Sequence, residues 1–341
     1  MARGTFDYMA GGADDEVTLR DNVEAWTRMR LRPRVLRDVS TVSTTTTVLG
    51  TEVSCPILVA PVSYLRLVHD EGERAMAAGA AAAGVIMALS TRSSCTIEDV
   101  AAAAPGAGRW FQVYLLRDRG WTADLVDRAV AAGFRALVLT VDTPVLGYRR
   151  RDVLNAFELP EGITMANVAS RVSPEVAEAE GLLAAYQAPD LGPEDVAWLA
   201  ERSGLPVVAK GVLTGEAARE CIGAGASAVV VSNHGGRQLD GVLATADALA
   251  SVTDAVGSDA EVYVDGGVRR GTDVLKALAL GARAVMIGRP AVWGLATSGA
   301  EGVQAVIGHL CFELRTAMAL AGVRHPGEID RAMVDLRSHP Q

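Results

Sequence analysis

The segment PVVAKGVLTGEAARECIGAGASAVVVSN, residues 206–233, contains the repeating unit from which the fold can be inferred. Two valine-rich runs, 206–211 and 228–233, flank a stretch that opens with Thr214 and closes with Gly225. Threonine and glycine suit the beginning and the end of a helix. The two runs are continuously apolar rather than alternating, which is typical of parallel strands buried on both faces. The segment therefore predicts a strand–helix–strand unit.

The same pattern recurs along the chain. Eight apolar runs lie at 56–61, 85–90, 110–114, 136–142, 206–211, 228–233, 261–267 and 284–290. Helical patterns between them include 71–84, 122–133, 193–204, 214–225 and 271–281. Such alternation is typical of an α/β fold, and no GxGxxG fingerprint of a dinucleotide-binding sheet follows the first runs. Eight regular units favour a closed (β/α)8 barrel, the TIM barrel.

The barrel is predicted to occupy residues 55–322 of a chain that forms one domain over 1–341. Residues 1–54 form a predicted N-terminal extension. Within it we expect a helix at about 14–28 and a threonine-rich hairpin at 41–53 that plugs or flanks the barrel.

One connection is much longer than the others. Residues 143–192, between the fourth and fifth strands, form a polar segment whose only clear helical pattern lies at 173–187. Long loops at the mouth of a barrel often cover the active site. The segment therefore predicts a lid-like loop.

Composition excludes several classes of function. Half of the 341 residues are hydrophobic and 21% are charged, which is ample for a large core and argues against disorder. The net charge of −9 does not favour binding to nucleic acid, which is itself negatively charged. The most apolar stretch, 75–90, is broken by Gly79 and Gly84 and is too short to span a bilayer, so we expect no membrane association.

The four cysteines, Cys55, Cys95, Cys221 and Cys311, are scattered and include no CxxC pair. This spacing favours reduced thiols in a cytoplasmic protein over a disulfide framework or a zinc site. Cys55 and Cys221 adjoin apolar runs, so we expect them to pack in the core. The prediction is a cytoplasmic protein without a bound metal.

Polar or glycine-rich groups follow every predicted strand, where a TIM barrel places its active site. After the last two strands, Gly266, Gly267 and Gly288 allow backbone amides to approach a ligand closely, and Arg269 and Arg289 add positive charge. Phosphate usually binds at this position of the fold. The sequence predicts a phosphate monoester there; the alternative is turn glycines beside surface arginines.

His234 and Arg237 lie three residues apart on a glycine-containing loop after the sixth run. An imidazole beside a guanidinium suits removal of a proton from a substrate whose carboxylate the arginine holds. Asp142, at the end of the fourth run, is expected to orient the imidazole and stabilise its cation. For the remaining histidines we expect packing or surface roles: His69, His309, His325 and His339.

Other polar residues have two interpretations each. Lys210 ends an apolar strand and needs an anionic partner, either a flavin ring that gains negative charge on reduction or a structural salt bridge. Tyr114 should point into the barrel mouth and Tyr8 precedes the barrel, but a core or surface role remains open for both. The basic cluster at 147–153 favours an arginine that holds a substrate carboxylate over a nucleic-acid patch.

The motif SNHGGRQLD at 232–240 resembles the signature of FMN-dependent 2-hydroxy acid oxidases and dehydrogenases. Four further segments support the resemblance: FDYMAGGADDE (6–16), LTVDTP (139–144), DGGVRRGTDVLKALALGA (265–282) and IGRP (287–290). It implies an FMN enzyme that oxidises an (S)-2-hydroxy acid of the lactate, glycolate or mandelate type to the 2-oxo acid. It also implies O2 or another electron acceptor, and assembly into a homotetramer or homo-octamer.

The resemblance implies a role for individual residues. Its FMN contacts are the backbone of Val62 and Ser63 with Ser90, Gln112, Thr140, Lys210, Ser232, Asp265, Gly267, Arg269, Gly288 and Arg289. Its substrate contacts are Tyr8, Tyr114, Arg149, His234 and Arg237, and Asp142 pairs with His234. The base would remove a proton from C2 or from the hydroxyl, and the sequence does not choose between these routes.

Two positions depart from the family pattern. Ser63 stands where many members have Ala or Gly near the flavin N5, a position linked to oxygen reactivity. We expect an oxidase that releases H2O2, with a soluble dehydrogenase or an FMN barrel oxidase acting on a modified peptide as alternatives. Arg92 stands where glycolate oxidase has a bulky aromatic residue in the substrate pocket. It either admits a second anionic group or points to solvent.

Overall fold

A computed structural model of the protein describes residues 1–168 and 187–336. Its strands are β1 (Arg30–Leu31), β2 (Thr46–Val48), β3 (Thr51–Val53), β4 (Ile57–Val59), β5 (Met87–Ser90), β6 (Arg109–Val113), β7 (Ala136–Thr140), β8 (Val207–Val212), β9 (Ala228–Val231), β10 (Glu261–Val264), β11 (Ala284–Ile287) and β12 (Val334–Asp335). Strands β4 to β11 close into a barrel in chain order, with β11 pairing with β4. All neighbouring pairs are parallel. The eight predicted strands and the TIM barrel are confirmed.

The barrel strands are buried on both faces, as their continuous apolar sequences predict. Because side chains alternate along a strand, one set fills the barrel and the other packs against helices. The inner set includes Leu58, Trp110 and Tyr263, which form a cluster separate from the main core. Val48 and Val53 of the hairpin β2–β3 belong to this inner cluster. The hairpin thereby closes the N-terminal end of the barrel.

The described helices are α1 (Arg3–Ala10), α2 (Val17–Arg28), α3 (Gly72–Ala82), α4 (Ile97–Ala103), α5 (Arg119–Ala131), α6 (Arg150–Leu154), α7 (Pro193–Ser203), α8 (Gly215–Gly223), α9 (Thr245–Val256), α10 (Gly271–Ala279) and α11 (Arg289–Leu320). The helices predicted between the strands are confirmed, with small shifts at their ends, and the helix expected near 14–28 is α2. Side-chain oxygens of Thr96, Asp118 and Thr214 accept backbone N–H groups at the starts of α4, α5 and α8. Among the described helices, none is both long and apolar enough to cross a membrane.

The N-terminal extension contacts the loops that carry the candidate site. Helix α1, which the sequence analysis did not predict, contains Tyr8. Helix α2 holds Asn22, which exchanges two amide hydrogen bonds of 2.8 Å with Asn233. One helical turn farther along, Trp26 is fully buried and its indole N–H donates to the carbonyl oxygen of Gly266 at 2.9 Å. Helix α2 therefore braces the loops after β9 and β10 from outside the barrel.

Residues 143–192 leave the barrel between β7 and β8 and include α6. The helix predicted at 173–187 lies outside the described residues except for its last residue, Gln187. Gln187 forms a bridge with Leu116, and its side-chain amide donates to the carbonyl oxygen of Thr143. These contacts hold the returning end of the segment beside its start.

The structure corrects one expectation about the cysteines. Cys55 and Cys311 form a disulfide, with their Cα atoms 6.1 Å apart, so the expected set of four reduced thiols is wrong for this pair. They are 256 residues apart in sequence, and the packing of α11 beside the start of β4 brings them together. No local spacing motif predicts such a contact. Cys95 and Cys221 are free, and Cys221 is only partly buried.

Replacing Trp26 with alanine should lower the free energy of unfolding by roughly 3–5 kcal/mol, because a fully buried indole and its hydrogen bond are lost. Chemical denaturation followed by far-UV circular dichroism measures the change. Glu24 is exposed on the same helix, and Glu24→Ala should alter stability by less than about 0.5 kcal/mol. Equal stability of the two variants would contradict the bracing role of α2.

Candidate active site

A cavity of about 1010 Å³, counted to its opening into solvent, lies at the C-terminal ends of the barrel strands. The predicted site residues that line it are Tyr8, Val62, Ser63, Ser90, Arg92, Gln112, Tyr114, Thr140, Arg149, Lys210, His234, Arg237, Asp265, Gly266, Gly267, Arg269, Gly288 and Arg289. Asp142 and Ser232 lie behind this wall, where each contacts a lining residue. The structure therefore brings all the predicted site residues together, although they come from the extension and from all eight strand ends.

The imidazole of His234 is contacted at both of its nitrogens. Its Nδ1 lies 2.9 Å from Oδ1 of Asp142, and because a carboxylate only accepts hydrogen bonds, the hydrogen lies on Nδ1. The lone pair is then on Nε2, which is 3.4 Å from the hydroxyl of Tyr114. Thr143 donates its hydroxyl hydrogen to the same oxygen of Asp142 at 2.9 Å. This arrangement leaves Nε2 free to accept a proton.

The electrostatics of the pair favour a neutral imidazole beside an ionised carboxylate. Burial lowers the pKa of His234 below its ordinary value, and the attraction of Asp142 offsets only part of this effect. Burial raises the pKa of Asp142. The charges of His234 and Lys210, together with the hydrogen bonds from His234 and Thr143, outweigh this effect, so the pKa of Asp142 is lowered overall. At neutral pH the pair can therefore act as a general base.

The loop that carries His234 is held in an unusual backbone conformation. His234 has a φ of 59°, in the left-handed region, and its backbone N–H donates to Oγ of Ser232 at 3.1 Å. Gly236 has a φ of 74°, and a Cβ atom there would lie 2.7 Å from the backbone nitrogen of Leu19. Only glycine fits this contact. Gly236 thus lets α2 approach the loop.

Lys210 lies at the floor of the cavity in an ion pair. Its ammonium group is 3.0 Å from Oδ2 of Asp265 and 2.9 Å from Oγ of Ser232. Burial on its own lowers the pKa of Lys210, but the negative charges of Asp265 and Asp142 outweigh this effect. The pKa of Lys210 is therefore raised overall, and the lysine is protonated. The structural salt bridge is thus present. Oδ1 of Asp265 is buried without a hydrogen-bond partner among the described residues, which leaves an acceptor for a polar ligand.

The two strand ends predicted to bind phosphate form a cationic corner of the cavity. Gly288 immediately precedes α11, so free N–H groups of that helix start face the corner. A Cβ atom at Gly288 would meet only the Val62 side chain, at 3.8 Å, so the space beside it is open. Burial lowers the pKa of Arg289 to about 9, and the positive charges of Arg237 and Arg269 add to this effect. A bound anion would relieve this repulsion.

A second group of cations lies near His234. Nε of Arg149 is buried and has no hydrogen-bond partner among the described residues. Arg237 donates to the carbonyl oxygens of Tyr8 and Gly11 at 2.6 and 2.9 Å, and its guanidinium lies 5.2 Å from the Tyr8 ring centroid. Burial, together with the charge of the neighbouring Arg149, lowers the pKa of Arg237 to about 10. These guanidinium groups suit a carboxylate ligand.

The groups along the cavity fit FMN. The cationic corner suits its phosphate, and the ends of β5, β6 and β7 form a row of hydrogen-bonding side chains beside the cavity. In this row Ser90 donates to Oε1 of Gln112 at 3.2 Å, and Nε2 of Gln112 donates to Thr140 at 2.9 Å. Lys210 and the free oxygen of Asp265 complete the polar wall. Within residues 1–168 and 187–336, no group of three or more His, Cys, Asp or Glu side chains could hold a metal ion.

The sequence analysis missed three residues that support the site: Asn22, Thr143 and Gln187. Asn22 and Gln187 act across long sequence separations, so no local signal identifies them. Thr143 directly follows Asp142 in the sequence. A hydroxyl residue next to a predicted site carboxylate could have identified it as a hydrogen-bond donor to that carboxylate. For Arg92 the structure excludes the solvent-facing alternative, because the residue is only 6% exposed and lines the cavity. His309, by contrast, lies on the surface and contacts Glu313.

Comparison with known proteins agrees with this geometry. The sequence matches the family described as FMN-dependent dehydrogenase over residues 1–336. It is 48% identical to an L-lactate oxidase from a Nostoc species, over 98% of this chain and 94% of that protein. It is 46% identical to human 2-hydroxyacid oxidase 1, over 98% of this chain and 92% of that protein.

Solved structures show the same architecture. A crystal structure of mandelate oxidase superimposes with a TM-score of 0.91 at 44% identity, covering 98% of this chain and 94% of that chain. A mandelate oxidase complex with benzoylformic acid superimposes with a TM-score of 0.90 at 43% identity, with the same coverage. The match over nearly the whole chain, together with a cavity whose polar groups fit FMN, shows that this protein belongs to the FMN-dependent dehydrogenase family.

Proposed function

We propose that this protein oxidises an (S)-2-hydroxy acid to the corresponding 2-oxo acid. The observation that carries the proposal is the neutral His234 imidazole, held by Asp142, whose Nε2 faces a cavity that also presents Arg149 and Arg237. The substrate loses two electrons and two protons, one hydrogen from C2 and one from the hydroxyl. When bound, FMN would accept the two electrons and the proton that His234 does not take, and would pass the electrons to an acceptor. The names of the relatives, which include lactate and 2-hydroxyacid oxidases, support the same reaction.

The chain's own residues bind the substrate and move its proton. Arg149 and Arg237 hold the carboxylate, and the Tyr8 hydroxyl assists them. His234 accepts a proton at Nε2, either from C2 or from the hydroxyl, and the negative charge of Asp142 stabilises the resulting imidazolium. Both routes need the same placement of the base. In each of them Nε2 of His234 lies beside C2 and its hydroxyl. Lys210 contributes a fixed positive charge at the cavity floor.

The cofactor half of the cavity is assigned to the remaining lining residues. Backbone groups of Val62, Ser63, Gly266 and Gly267 border FMN, as do the hydrogen-bonding side chains described above. Gly288, Arg269 and Arg289 hold its phosphate at the start of α11. This assignment rests on the cationic corner and the open space beside Gly288.

We propose dioxygen as the electron acceptor, with release of H2O2, because the relatives in the comparison are named oxidases. We also propose that the chain acts as a single domain. We further propose a cytoplasmic homotetramer or homo-octamer, which light scattering of the purified holoenzyme tests. Exposed apolar side chains on the loops after β7 and β9 support self-association: Val145, Leu146, Leu239 and Leu243.

A panel of 2-hydroxy acids tests the reaction. We expect at least one of L-lactate, glycolate and (S)-mandelate to bleach the flavin absorbance without oxygen. Under air, one H2O2 should appear for each 2-oxo acid formed. Bleaching without peroxide, accompanied by reduction of an artificial dye, would identify a dehydrogenase. The proposed function is wrong if the holoenzyme binds FMN and no 2-hydroxy acid bleaches it.

The variant His234→Ala extends this test to the base. It should retain FMN, because the cationic corner is unchanged, while flavin bleaching by the best substrate falls by about 10²–10⁴-fold. Stopped-flow absorbance without oxygen measures the rate. His309→Ala removes a surface histidine and should bleach at the wild-type rate. A normal rate in His234→Ala would exclude this residue as the base.

The pH dependence of kcat/KM tests the role of Asp142. Because the base is neutral only above its pKa, activity should be lost as the pH falls through the pKa of His234, which lies below its ordinary value of about 6.5. Asp142→Asn removes a charge that raises this pKa, so the acid limb should move to lower pH. The maximal rate should also fall by about 10²–10⁴-fold, because the imidazolium loses its stabilising charge.

The matched control for this experiment is Asp254→Asn, which removes a surface carboxylate that pairs with Arg331. Its pH profile should match that of the wild-type enzyme. An acid limb that stays in place or moves to higher pH in Asp142→Asn would contradict the proposed coupling.

A further inference from the structure

Arg92 is a buried cation on the wall of the cavity, directly after β5. Its backbone N–H donates to Oγ of Ser90 at 3.1 Å, and its carbonyl oxygen accepts the N–H of Tyr64 at 3.1 Å. These bonds fix the backbone on both sides of the side chain. Burial of a cation costs free energy unless an anion or several acceptors compensate it.

The guanidinium of Arg92 has little compensation. Its Cζ lies 4.3 Å from the ring centroid of Tyr114, and one of its terminal nitrogens donates to Oε1 of Gln187 at 2.7 Å. Among the described residues it forms no ion pair with a carboxylate. One amide oxygen and one aromatic face leave most of its N–H donors for another acceptor. Within residues 1–168 and 187–336, this cation beside the cavity therefore has no carboxylate counter-ion.

The carboxylate common to all 2-hydroxy acids does not supply this counter-ion under the proposed function. Under the proposed function that group binds Arg149 and Arg237, and Arg237 also donates to the carbonyl oxygen of Tyr8. Of the protein's own carboxylates near the substrate region, Asp142 is paired with His234. Under the proposed function, an anion that binds Arg92 would therefore come from a different part of the substrate.

The position of Arg92 sets how far that anion lies from the reacting carbon. Tyr114 stands between the two groups: its hydroxyl is 3.4 Å from Nε2 of His234, and its ring face contacts Arg92. Arg92 and His234 therefore both contact the Tyr114 side chain, one at its ring face and the other at its hydroxyl. A short linker of one or two carbons beyond C2 suits this arrangement.

The loop that presents Arg92 is rigid. Glu73 is completely buried, and its Oε1 accepts the backbone N–H groups of Ser94 and Leu65, both at 2.9 Å. The hydroxyl of Ser94 donates to the other oxygen of Glu73 at 2.8 Å. Such support is typical of a preorganised binding group, because less conformational entropy is lost when the ligand binds.

We propose that Arg92 binds a second anionic group, so that the preferred substrates are four- or five-carbon 2-hydroxy acids with a terminal carboxylate. This inference rests on the proposed function and specifies its substrate class. The terminal carboxylate accepts hydrogen bonds from the Arg92 guanidinium, while the C1 carboxylate binds Arg149 and Arg237. Oxidation at C2 is unchanged, and the terminal group takes no part in it.

Matched substrate pairs test the proposal with the holoenzyme. (S)-malate is compared with the half-amide in which its C4 carboxylate is a carboxamide, and (S)-2-hydroxyglutarate with its C5 half-amide. The two members of each pair have nearly the same size and differ by one charge. For at least one pair, kcat/KM from anaerobic flavin bleaching should favour the diacid by at least about tenfold.

Variants assign this preference to the guanidinium. Arg92→Met removes the charge but keeps an unbranched side chain that can pack on Tyr114, and it should bring the diacid-to-half-amide ratio to about one. Arg92→Lys keeps the charge and should retain part of the preference. Arg74→Met removes an exposed arginine from α3 and should leave the ratio as in the wild-type enzyme.

The outcomes separate this inference from the proposed function. A wild-type ratio near one for both pairs, or an undiminished ratio in Arg92→Met, overturns the role of Arg92. The wild-type ratio decides the matter even if Arg92→Met does not fold. If (S)-2-hydroxybutanoate, which has no second charge, bleaches the flavin and neither diacid does, only the substrate class is wrong. If no 2-hydroxy acid bleaches the flavin, the proposed function itself fails.

Discussion

The closed ladder of eight parallel strands is the constraint on which the rest of this protein depends. Parallel strands all end in the same direction, and closure brings the eight ends to one rim. Lys210 within β8, and His234 and Asp265 in the loops after β9 and β10, therefore meet around one cavity. An open sheet with the same sequence pattern would spread these side chains along an edge. The barrel thus converts a repeated local pattern into one site.

The cavity holds more cationic side chains than anionic ones, and this imbalance explains its chemistry. Lys210 has Asp265 as a partner, but Arg149 and Arg92 form no ion pair among the described residues. Burying unpaired cations is unfavourable in the free protein. Under the proposed function, substrate carboxylates would supply the missing charge for Arg149 and Arg92, and the FMN phosphate would supply it for Arg269 and Arg289, so ligand binding would relieve the repulsion. The same field acts against protonation of His234, whose lowered pKa keeps it available as a base.

The N-terminal extension shows where inference from local pattern stops. The sequence predicted a helix at about 14–28, whereas the contacts of α2 with Asn233 and Gly266 were not predicted. Tyr8 was assigned to the substrate only by family resemblance, because nothing in its local sequence shows that α1 reaches the cavity. Such contacts join segments more than 200 residues apart, and their formation depends on packing that a short window of sequence does not contain.

By itself, the sequence determined the eight strands, the helices between them and the polar strand ends, because burial pattern and capping preference are local properties. It also identified His234 and its motif. Only the tertiary structure decided that Asp142, 92 residues away, lies 2.9 Å from His234. It likewise decided that Cys55 meets Cys311 and that Arg92 faces the cavity rather than solvent. These contacts exist because barrel closure and helix packing set distances between remote residues, and composition and periodicity carry no information about those distances.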